Sequence, residues 1–308
     1  MAETPPSSTP AHTQKSHRKA VLQALFVTFL WATSWVLIKI GLREVPALTF
    51  AGLRYFLAFL LLLPLALRRR HIRKLQALPA TSWIQLVALG LLFYALTQGA
   101  QFVGLAFLPA VTVNLLLSFT AVTVALMGVP LLGERPSPRQ WGGVGLALVG
   151  ALVYFLPLRI PTDQMIGYAV VVVGVLANAG SSLIGRGVNR RGDLPPLLVT
   201  VVSMGIGATL LLAGGLLVQG LPALSFQGWA IVGWLAAINT AFAFTLWNRT
   251  LQTLSAVESS VINGTLLIQI PVLAVIFLGE QVTTQEAIGL VLAAVGAVVV
   301  QLGRRPES

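Results

Sequence analysis

The sequence predicts an all-α integral membrane protein whose ten transmembrane helices form two five-helix repeats of opposite orientation. Three observations support this prediction. First, 56% of the 308 residues are hydrophobic, 9% are charged and the mean hydropathy is +0.86, far more apolar than an ordinary soluble domain. Second, ten apolar segments follow one another along the chain. Third, the second half of the chain repeats the pattern of the first half.

Each apolar segment is close to the length of about twenty residues that a helix needs to cross the hydrocarbon core. The predicted helices cover residues 20–40, 46–67, 82–105, 110–132, 140–157, 166–185, 195–218, 228–248, 256–279 and 286–302. The first repeat is thus predicted over residues 20–157 and the second over residues 166–302. Residues 1–19 are expected to form a disordered basic tail in the cytoplasm, and residues 303–308 a second cytoplasmic tail.

An offset of 146 residues aligns the two halves without a gap. It carries Leu132-Gly133-Glu134 onto Leu278-Gly279-Glu280, and Trp83 onto Trp229. Five helices per repeat is an odd number, so the second repeat enters the membrane in the opposite orientation. Inverted repeats are typical of secondary transporters, because two similar halves give two conformations of comparable energy, one open to each side.

The lysine and arginine residues predict which side of the membrane each link occupies. With a cytoplasmic N-terminus, sixteen of the twenty lie on the cytoplasmic side and three, Lys39, Arg43 and Arg159, lie opposite. The remaining one, Arg54, lies within the second segment. Positive charge is enriched in cytoplasmic links, so both termini are predicted to be cytoplasmic.

Several classes of function lack their necessary residues. The chain has no cysteine and no Gly-x4-Gly-Lys-Ser/Thr loop, so thiol chemistry and direct use of ATP are excluded. The net charge of +11 is spread over short links rather than along a basic stripe, so we expect a lipid bilayer and a small-molecule substrate as partners, and no nucleic acid. No Asp lies within a predicted span, which favours exchange or facilitated diffusion over proton coupling. No cofactor and no metal are predicted.

Three groups of residues resemble the drug/metabolite transporter superfamily. They are Trp31-Ala-Thr-Ser-Trp35 in the first helix, Arg54-Tyr55-Phe56 in the second, and the Leu-Gly-Glu ends of the fourth and ninth helices, each followed by a Gly-rich helix. Within the superfamily they are similar to the bacterial ten-helix family of paired five-helix repeats, which includes amino-acid exporters. The resemblance implies a transporter of small organic solutes in a bacterial-type cytoplasmic (inner) membrane, with a central cavity shared by both repeats.

The third segment carries the candidate polar wall of that cavity. Tyr94, Gln98 and Gln101 stand at i, i+4 and i+7, which places them on one face of an α-helix. Polar side chains are costly in lipid, so this face is expected to turn inward. The positions related to the two glutamines by the repeat are Phe244 and Trp247, which suggests an opposite wall that is aromatic. The alternative for all of these residues is packing between helices.

Other helices contribute further candidates for substrate binding. Trp31 and Trp35 lie one turn apart on the first helix, and Asn178 lies on a narrow small-residue face of the sixth. The fourth and ninth helices add three more polar candidates: Asn114, Ser118 and Asn263. Pro271 lies well inside the ninth helix, and proline removes a backbone hydrogen bond there, so it is the predicted hinge.

Arg54 is the unambiguous charge within a span, and its role stays open at this stage. Its guanidinium can bind a substrate carboxylate, pair with Glu44, or extend towards the interface on its long stem. The resemblance does not make the second helix a cavity helix. Glu258 is placed where it can pair with Arg249. Glu134 and Glu280 are interpreted as structural markers, with a role in gating as the alternative.

The predicted function is export of small organic metabolites by alternating access, with amino acids, including aromatic ones, as the expected substrates. Efflux of drugs or other organic cations is one alternative, although no acidic residue within a span is placed to receive a cation. An integral-membrane enzyme or a scaffold is a more remote alternative, because no catalytic pair lies at one depth. Oligomeric state is not predicted: small residues every fourth position on the fifth and tenth helices fit packing within one chain or between two.

Overall fold

A computed structural model describes residues 10–132, 137–157, 161–191, 194–220 and 222–302, and ten long helices make up most of them. The first repeat contains α1 (Pro10–Gly41), α2 (Ala47–Ala66), α3 (Ala80–Phe107), α4 (Ala110–Ser118 and Thr120–Leu132) and α5 (Pro138–Phe155). The second contains α6 (Met165–Arg191), α7 (Pro196–Gln219), α8 (Phe226–Thr250), α9 (Ala256–Gly264 and Leu266–Leu278) and α10 (Thr284–Leu302). A short helix, Arg69–Gln76, lies between α2 and α3.

Within the described ranges, nine of the helices are long and apolar enough to cross a membrane. The tenth, α5, has 18 residues and begins with the polar sequence Pro138-Arg139-Gln140, which lowers its apolar content. It nevertheless lies alongside α10, with Gly143 against Val300 at one end of the contact and Gly150 against Ala293 further along. The predicted ten-helix architecture therefore has nine spans supported by composition and a tenth helix packed beside one of them.

The helix irregularities repeat at the offset found in the sequence. The turn at Phe119 interrupts α4 and the turn at Thr265 interrupts α9, and the two positions are 146 residues apart. In both turns the residue's N–H bonds to the carbonyl three residues earlier, Leu116 and Ile262 respectively. A π-helical turn likewise occurs at Gly90–Thr97 in α3 and at Ala237–Phe242 in α8. The two halves therefore share their local backbone deviations as well as their hydrophobic pattern.

Contacts between equivalent helices show that the repeats have opposite orientation. Gly52 of α2 lies against Leu212 of α7, whereas the earlier residue Thr49 lies against the later residue Gly215. The two helices are thus antiparallel, as the odd number of helices per repeat predicts. The same holds for α5 and α10.

The seam between α5 and α10 explains the small residues at every fourth position. A Cβ added to Gly150 would lie 2.3 Å from the Ala293 nitrogen, and one added to Gly296 would lie 2.4 Å from the Ala147 nitrogen. Only hydrogen fits where two helix backbones approach so closely. The sequence left open whether these residues join two helices or two chains, and the structure places the contact within one chain.

Both ends of the described chain lie at one end of the bundle. His17 Nε2 of α1 is 2.8 Å from Glu258 Oε1 of α9, and Ser260 donates a hydrogen bond to Gln301 near the end of α10. Glu258 also accepts from Ser255, so the predicted pairing with Arg249 is replaced by these contacts. The predicted disordered tail needs correction at residues 10–19, which are helical, because they extend an already nucleated helix at little cost.

The Leu-Gly-Glu marker has a structural role in the second repeat. Leu278 ends α9, and Gly279 has φ +67°, a left-handed conformation that favours glycine. The carboxylate of Glu280 then accepts the backbone N–H groups of Ala110 and Val111 at distances of 2.6 and 3.1 Å. The equivalent Gly133 and Glu134 of the first repeat lie outside the described residues.

Candidate functional site

A cavity of about 560 Å³ lies between the two repeats and brings together most of the predicted site residues. Helices from both repeats contribute to its walls. Nine of the eleven predicted substrate-binding residues line it: Trp31, Trp35, Gln98, Gln101, Asn114, Ser118, Asn178, Phe244 and Asn263. This volume falls within the range of about 300–1,000 Å³ that is usual for small-molecule sites.

One wall of the cavity is polar. Gln98 is buried, and its Oε1 accepts a 2.6 Å hydrogen bond from the Tyr55 hydroxyl. Asn114 lies on α4 and its Nδ2 is buried with no partner in the described part of the chain. Asn178 on α6 donates a 3.1 Å hydrogen bond to Thr120. Some of these groups are held in place by the protein, whereas Asn114 retains bonding capacity for a solute.

Another part of the cavity wall is aromatic. The ring of Trp31 lies 5.5 Å from the ring of Phe244 and 5.2 Å from the ring of Trp247, measured between centroids. Asn239 fixes α8 against α1 here by donating to the Leu30 carbonyl. Tilted ring pairs of this kind present both faces and edges to a bound molecule.

Two predicted residues, Tyr94 and Trp247, lie behind the cavity walls. Tyr94 is buried, with its ring 5.8 Å from that of Tyr55. The prediction assumed α-helical spacing, but Tyr94 belongs to the π-helical turn that ends just before Gln98, and this turn changes the residue's direction. Trp247 instead supports Trp31, which does line the cavity.

The walls formed by α4 and α9 are related by the repeat. Asn114 and Ser260 both line the cavity, as do Ser118 and Gly264, and each pair is separated by 146 residues. Adding 146 to the numbers of Asn114 and Leu117 gives Ser260 and Asn263. The repeat in the sequence could therefore have identified Ser260 as a lining residue. Other lining residues that the sequence analysis did not select include Tyr55, Thr120, Ser182 and Gln301.

Arg54, whose role the sequence left open, lines this cavity, so α2 contributes to it although the resemblance did not imply this. The side chain is only 4% exposed, so it does not extend to the interface. It does not pair with Glu44, whose carboxylate accepts instead from the Ser225 hydroxyl at 2.7 Å. The close packing of α2 on α7 through Gly52 and Gly215 turns Arg54 inward, a tertiary effect that a single sequence does not reveal.

Pro271 lies inside the second half of α9, and the interruption of that helix is six residues earlier, at Thr265. The same interruption occurs at Phe119 in α4, where the residue equivalent to Pro271 is Ala125. Proline is therefore not the cause of the break, and its role as a hinge stays a prediction.

The cavity extends towards one end of the bundle. Ser260, Ser182 and Gln301 line it near the end that carries both chain termini. The residues that the structure describes at the other end, among them Glu280 and Tyr154, do not line it. There Glu280 binds the start of α4, and Thr112 lies 3.0 Å from the Tyr154 hydroxyl. We refer to this end as the closed end, because Glu280 and Tyr154 are joined to α4 there and do not line the cavity.

Comparisons with known proteins agree with this architecture. The EamA-like transporter family matches residues 18–156 and again residues 165–302. The chain is 25% identical to the uncharacterized transporter YoaV of Bacillus subtilis (strain 168), covering 90% of this chain and 95% of that protein. It is 23% identical to a probable amino-acid metabolite efflux pump of Escherichia coli (strain K12), covering 94% and 96%.

Two further matches concern location and fold. The uncharacterized inner membrane transporter YedA of Escherichia coli (strain K12) is 26% identical, with 91% of this chain and 90% of that protein covered. A solved crystal structure superposes with a TM-score of 0.63 at 19% identity, covering 92% of this chain and 97% of the other. At that identity the structure supports the fold alone.

Proposed function

Because this chain belongs to the EamA-like transporter family, a family of multi-pass membrane transporters, we propose that it exports small organic metabolites, foremost amino acids including aromatic ones. The observation that carries this proposal is the cavity between the repeats, whose walls combine the aromatic side chains of Trp31 and Phe244 with the polar side chains of Gln101 and Asn114. Such a site suits a solute with an aromatic ring and a polar end. The Escherichia coli relative that is named a probable amino-acid metabolite efflux pump supports this class of substrate.

The proposed mechanism is alternating access. The described conformation is closed where Glu280 binds the start of α4, and its cavity extends towards the opposite end. Since the repeats are similar and antiparallel, an exchange of their packing would close the open end and open the closed one. Each conformation would expose the same cavity residues to one side of the membrane.

The proposed orientation places the chain termini, and with them the open end of the cavity, in the cytoplasm. The concentration of Lys and Arg in the links on that side supports it. An exporter loads its solute from the cytoplasm, so the described conformation would be the loading state.

Efflux of organic cations is less well supported by the same cavity. Among the described lining residues none is Asp or Glu, and the charged residue is Arg54. A permanent cation would therefore meet a positive charge and no counter-ion. The cavity also lacks a described pair of acid and base groups of the kind an enzyme uses.

Transport by purified protein in liposomes tests the proposal. We expect uptake of labelled phenylalanine, weaker uptake of labelled threonine, and none of a quaternary ammonium dye. Phe244→Ala should reduce phenylalanine uptake, whereas Phe242→Ala, two residues away on the exposed face of α8, should not. Uptake of none of the three compounds would reject transport of this class, and uptake of the dye alone would favour cation efflux.

A further inference from the structure

The polar atoms left without partners in the cavity walls point to the chemical class of the substrate. Arg54 is buried in α2, and a charge at this depth is costly unless it is paired or used. Its Nε donates a 3.0 Å hydrogen bond to Thr240 Oγ1, which itself donates to the Leu235 carbonyl at 2.8 Å. The guanidinium carbon lies 5.0 Å from the Tyr55 ring centroid. These neutral contacts orient the guanidinium without neutralising it.

No described carboxylate lies within 4.0 Å of Arg54. A guanidinium has five N–H donors in a planar fork, and the contacts in the described residues use one of them. Because Arg54 lines the cavity, the remaining donors can serve a bound solute. An oxygen pair in one plane, as in a carboxylate, is the group that this fork binds best.

Other vacant groups in the described cavity wall are also donors. The Trp31 Nε1–H is buried without a partner and can only donate, and the Asn114 amide nitrogen is likewise buried without one. The buried acceptors that lack partners, Asn239 Oδ1 and Gln269 Oε1, belong to residues outside the lining. A cavity with a cation and vacant donors, and no described acidic residue, is suited to an anionic group.

The arrangement also sets where the ring of such a solute would lie. Thr240, which holds Arg54, lies in the π-helical turn of α8 and precedes Phe244 by four residues, roughly one helical turn. The guanidinium is thus one turn from the aromatic wall of Trp31 and Phe244. That separation suits a ring and a carboxylate joined by a short carbon chain.

We propose that Arg54 binds the carboxylate of the substrate and that the site selects aromatic carboxylates, with the amino group of an amino acid tolerated rather than recognised by charge. This inference rests on the proposed function and deepens it. An ammonium group would find neutral oxygens such as that of Asn263, whereas the carboxylate would find a fixed positive charge. Charge-assisted hydrogen bonds are stronger than neutral ones, so the carboxylate should dominate selectivity.

Calorimetric titration of purified protein in lipid nanodiscs tests the inference with four probes that share a ring and a two-carbon chain. They are 3-phenylpropionate, L-phenylalanine, 3-phenylpropionamide and 2-phenylethylamine. We expect the first two to bind and the amide and the amine to bind at least about tenfold more weakly, the difference of one charge-assisted hydrogen bond. Equal or tighter binding of the amide or the amine would overturn the assignment. Binding of none of the four would overturn the proposed aromatic substrate class as well.

Variants locate the effect at Arg54. Arg54→Gln should remove the preference for 3-phenylpropionate over its amide, and Arg43→Gln, at an exposed arginine beyond α1, should preserve it. Thr240→Val keeps the charge but removes the acceptor that orients it, so it should weaken carboxylate binding and leave amide binding unchanged. If Arg54→Gln fails to fold, the role of Arg54 is still tested by the order in which the wild-type protein binds the four probes and by the effect of Thr240→Val. If both single variants, Thr240→Val and Arg54→Gln, keep the wild-type preference for 3-phenylpropionate over its amide, the role of Arg54 is rejected.

Discussion

The helices α4 and α9 occupy equivalent places in the two repeats, but their first turns are capped in different ways. α4 follows Pro109, which offers no side-chain cap, and its first N–H groups are bound by Glu280 of the other repeat. α9 follows Ser255, whose hydroxyl accepts the Glu258 N–H while the Glu258 carboxylate accepts the Ser255 N–H. The start of α4 is therefore bound by a side chain of the opposite repeat, whereas the described cap of α9 is made by residues of its own repeat.

This difference coincides with the two ends of the cavity. The end where Glu280 bridges the repeats is closed, and the end where α9 caps itself is the one towards which the cavity extends. A carboxylate at a helix N-terminus interacts favourably with the free N–H groups and the helix dipole. The comparison teaches that two repeats of one fold can differ in a local cap: Ser255 and Glu258 form one at the start of α9, and Pro109 and Thr112 stand in their places in α4.

The largest effect is expected where the repeats are alike, at the seam of α5 and α10. Gly150→Ala would place a methyl group 2.3 Å from a backbone nitrogen, and the overpacking should cost about 3 kcal/mol. Gly296→Ala should be equally harmful, since it occupies the equivalent place at 2.4 Å. Thermal unfolding of the purified protein measures both, and Gly145→Ala, with nothing within 4 Å, is the control. A stable Gly150→Ala protein would show that the seam is looser than described.

The second-largest effect is expected for substitutions in the cavity walls, where the side chains of the two repeats differ. Gln98→Leu removes the acceptor of the Tyr55 hydroxyl and should lower solute flux in liposomes about tenfold, which corresponds to ~1.4 kcal/mol. Trp247→Ala should have a smaller effect, because it acts through the packing of Trp31. Both proteins should be obtained folded and in normal yield. Wild-type flux in both would remove this part of the cavity from the transport path.

A smaller effect is expected at the closed end. Glu280→Gln should weaken the cap on α4 by about 1 kcal/mol and open that end about fivefold more often. Since the chain has no cysteine, a single Thr112→Cys can report the opening through its rate of labelling by a membrane-impermeant maleimide. The control is Glu286→Gln, because Glu286 caps Thr283 within its own repeat. Equal labelling rates in the two variants would mean that Glu280 does not hold this end closed.

The smallest effect is expected for the predicted hinge. Pro271→Ala restores an N–H donor inside α9 and should slow exchange by about twofold, since the break at Thr265 persists in either case. The reciprocal variant, Ala125→Pro, places a proline at the equivalent position of α4. Exchange kinetics measured in liposomes compare the two, and unchanged kinetics in Pro271→Ala would reject a role for this proline in bending.

Most of the fold could be predicted from the repeat in the sequence. The offset that joins Leu132-Gly133-Glu134 to Leu278-Gly279-Glu280 also relates the breaks at Phe119 and Thr265, because related sequences adopt the same local deviations. Polar residues at helical spacing predicted part of the cavity wall, since Gln98 and Gln101 were selected in this way and both line the cavity. Tyr94 did not follow this pattern, since hydrophobic periodicity does not reveal a π-helical turn.

Contacts between distant helices were not predictable from one sequence. Arg54 was recognised as unusual, but its direction depends on how α2 packs on α7, and its partner Thr240 is 186 residues away. The bond from Glu280 to Ala110 likewise joins residues 170 positions apart. Neither contact leaves a local pattern, so the cap at the closed end and the charge in the cavity emerged only from the folded structure.

Counterflow in liposomes tests most directly whether one cavity serves both sides of the membrane in turn. Liposomes containing the purified protein are loaded with unlabelled phenylalanine and diluted into a trace of labelled phenylalanine. Alternating access through a single site predicts that the label accumulates transiently above its external concentration before it equilibrates. Label that only approaches equilibrium, with no transient excess, would contradict the account.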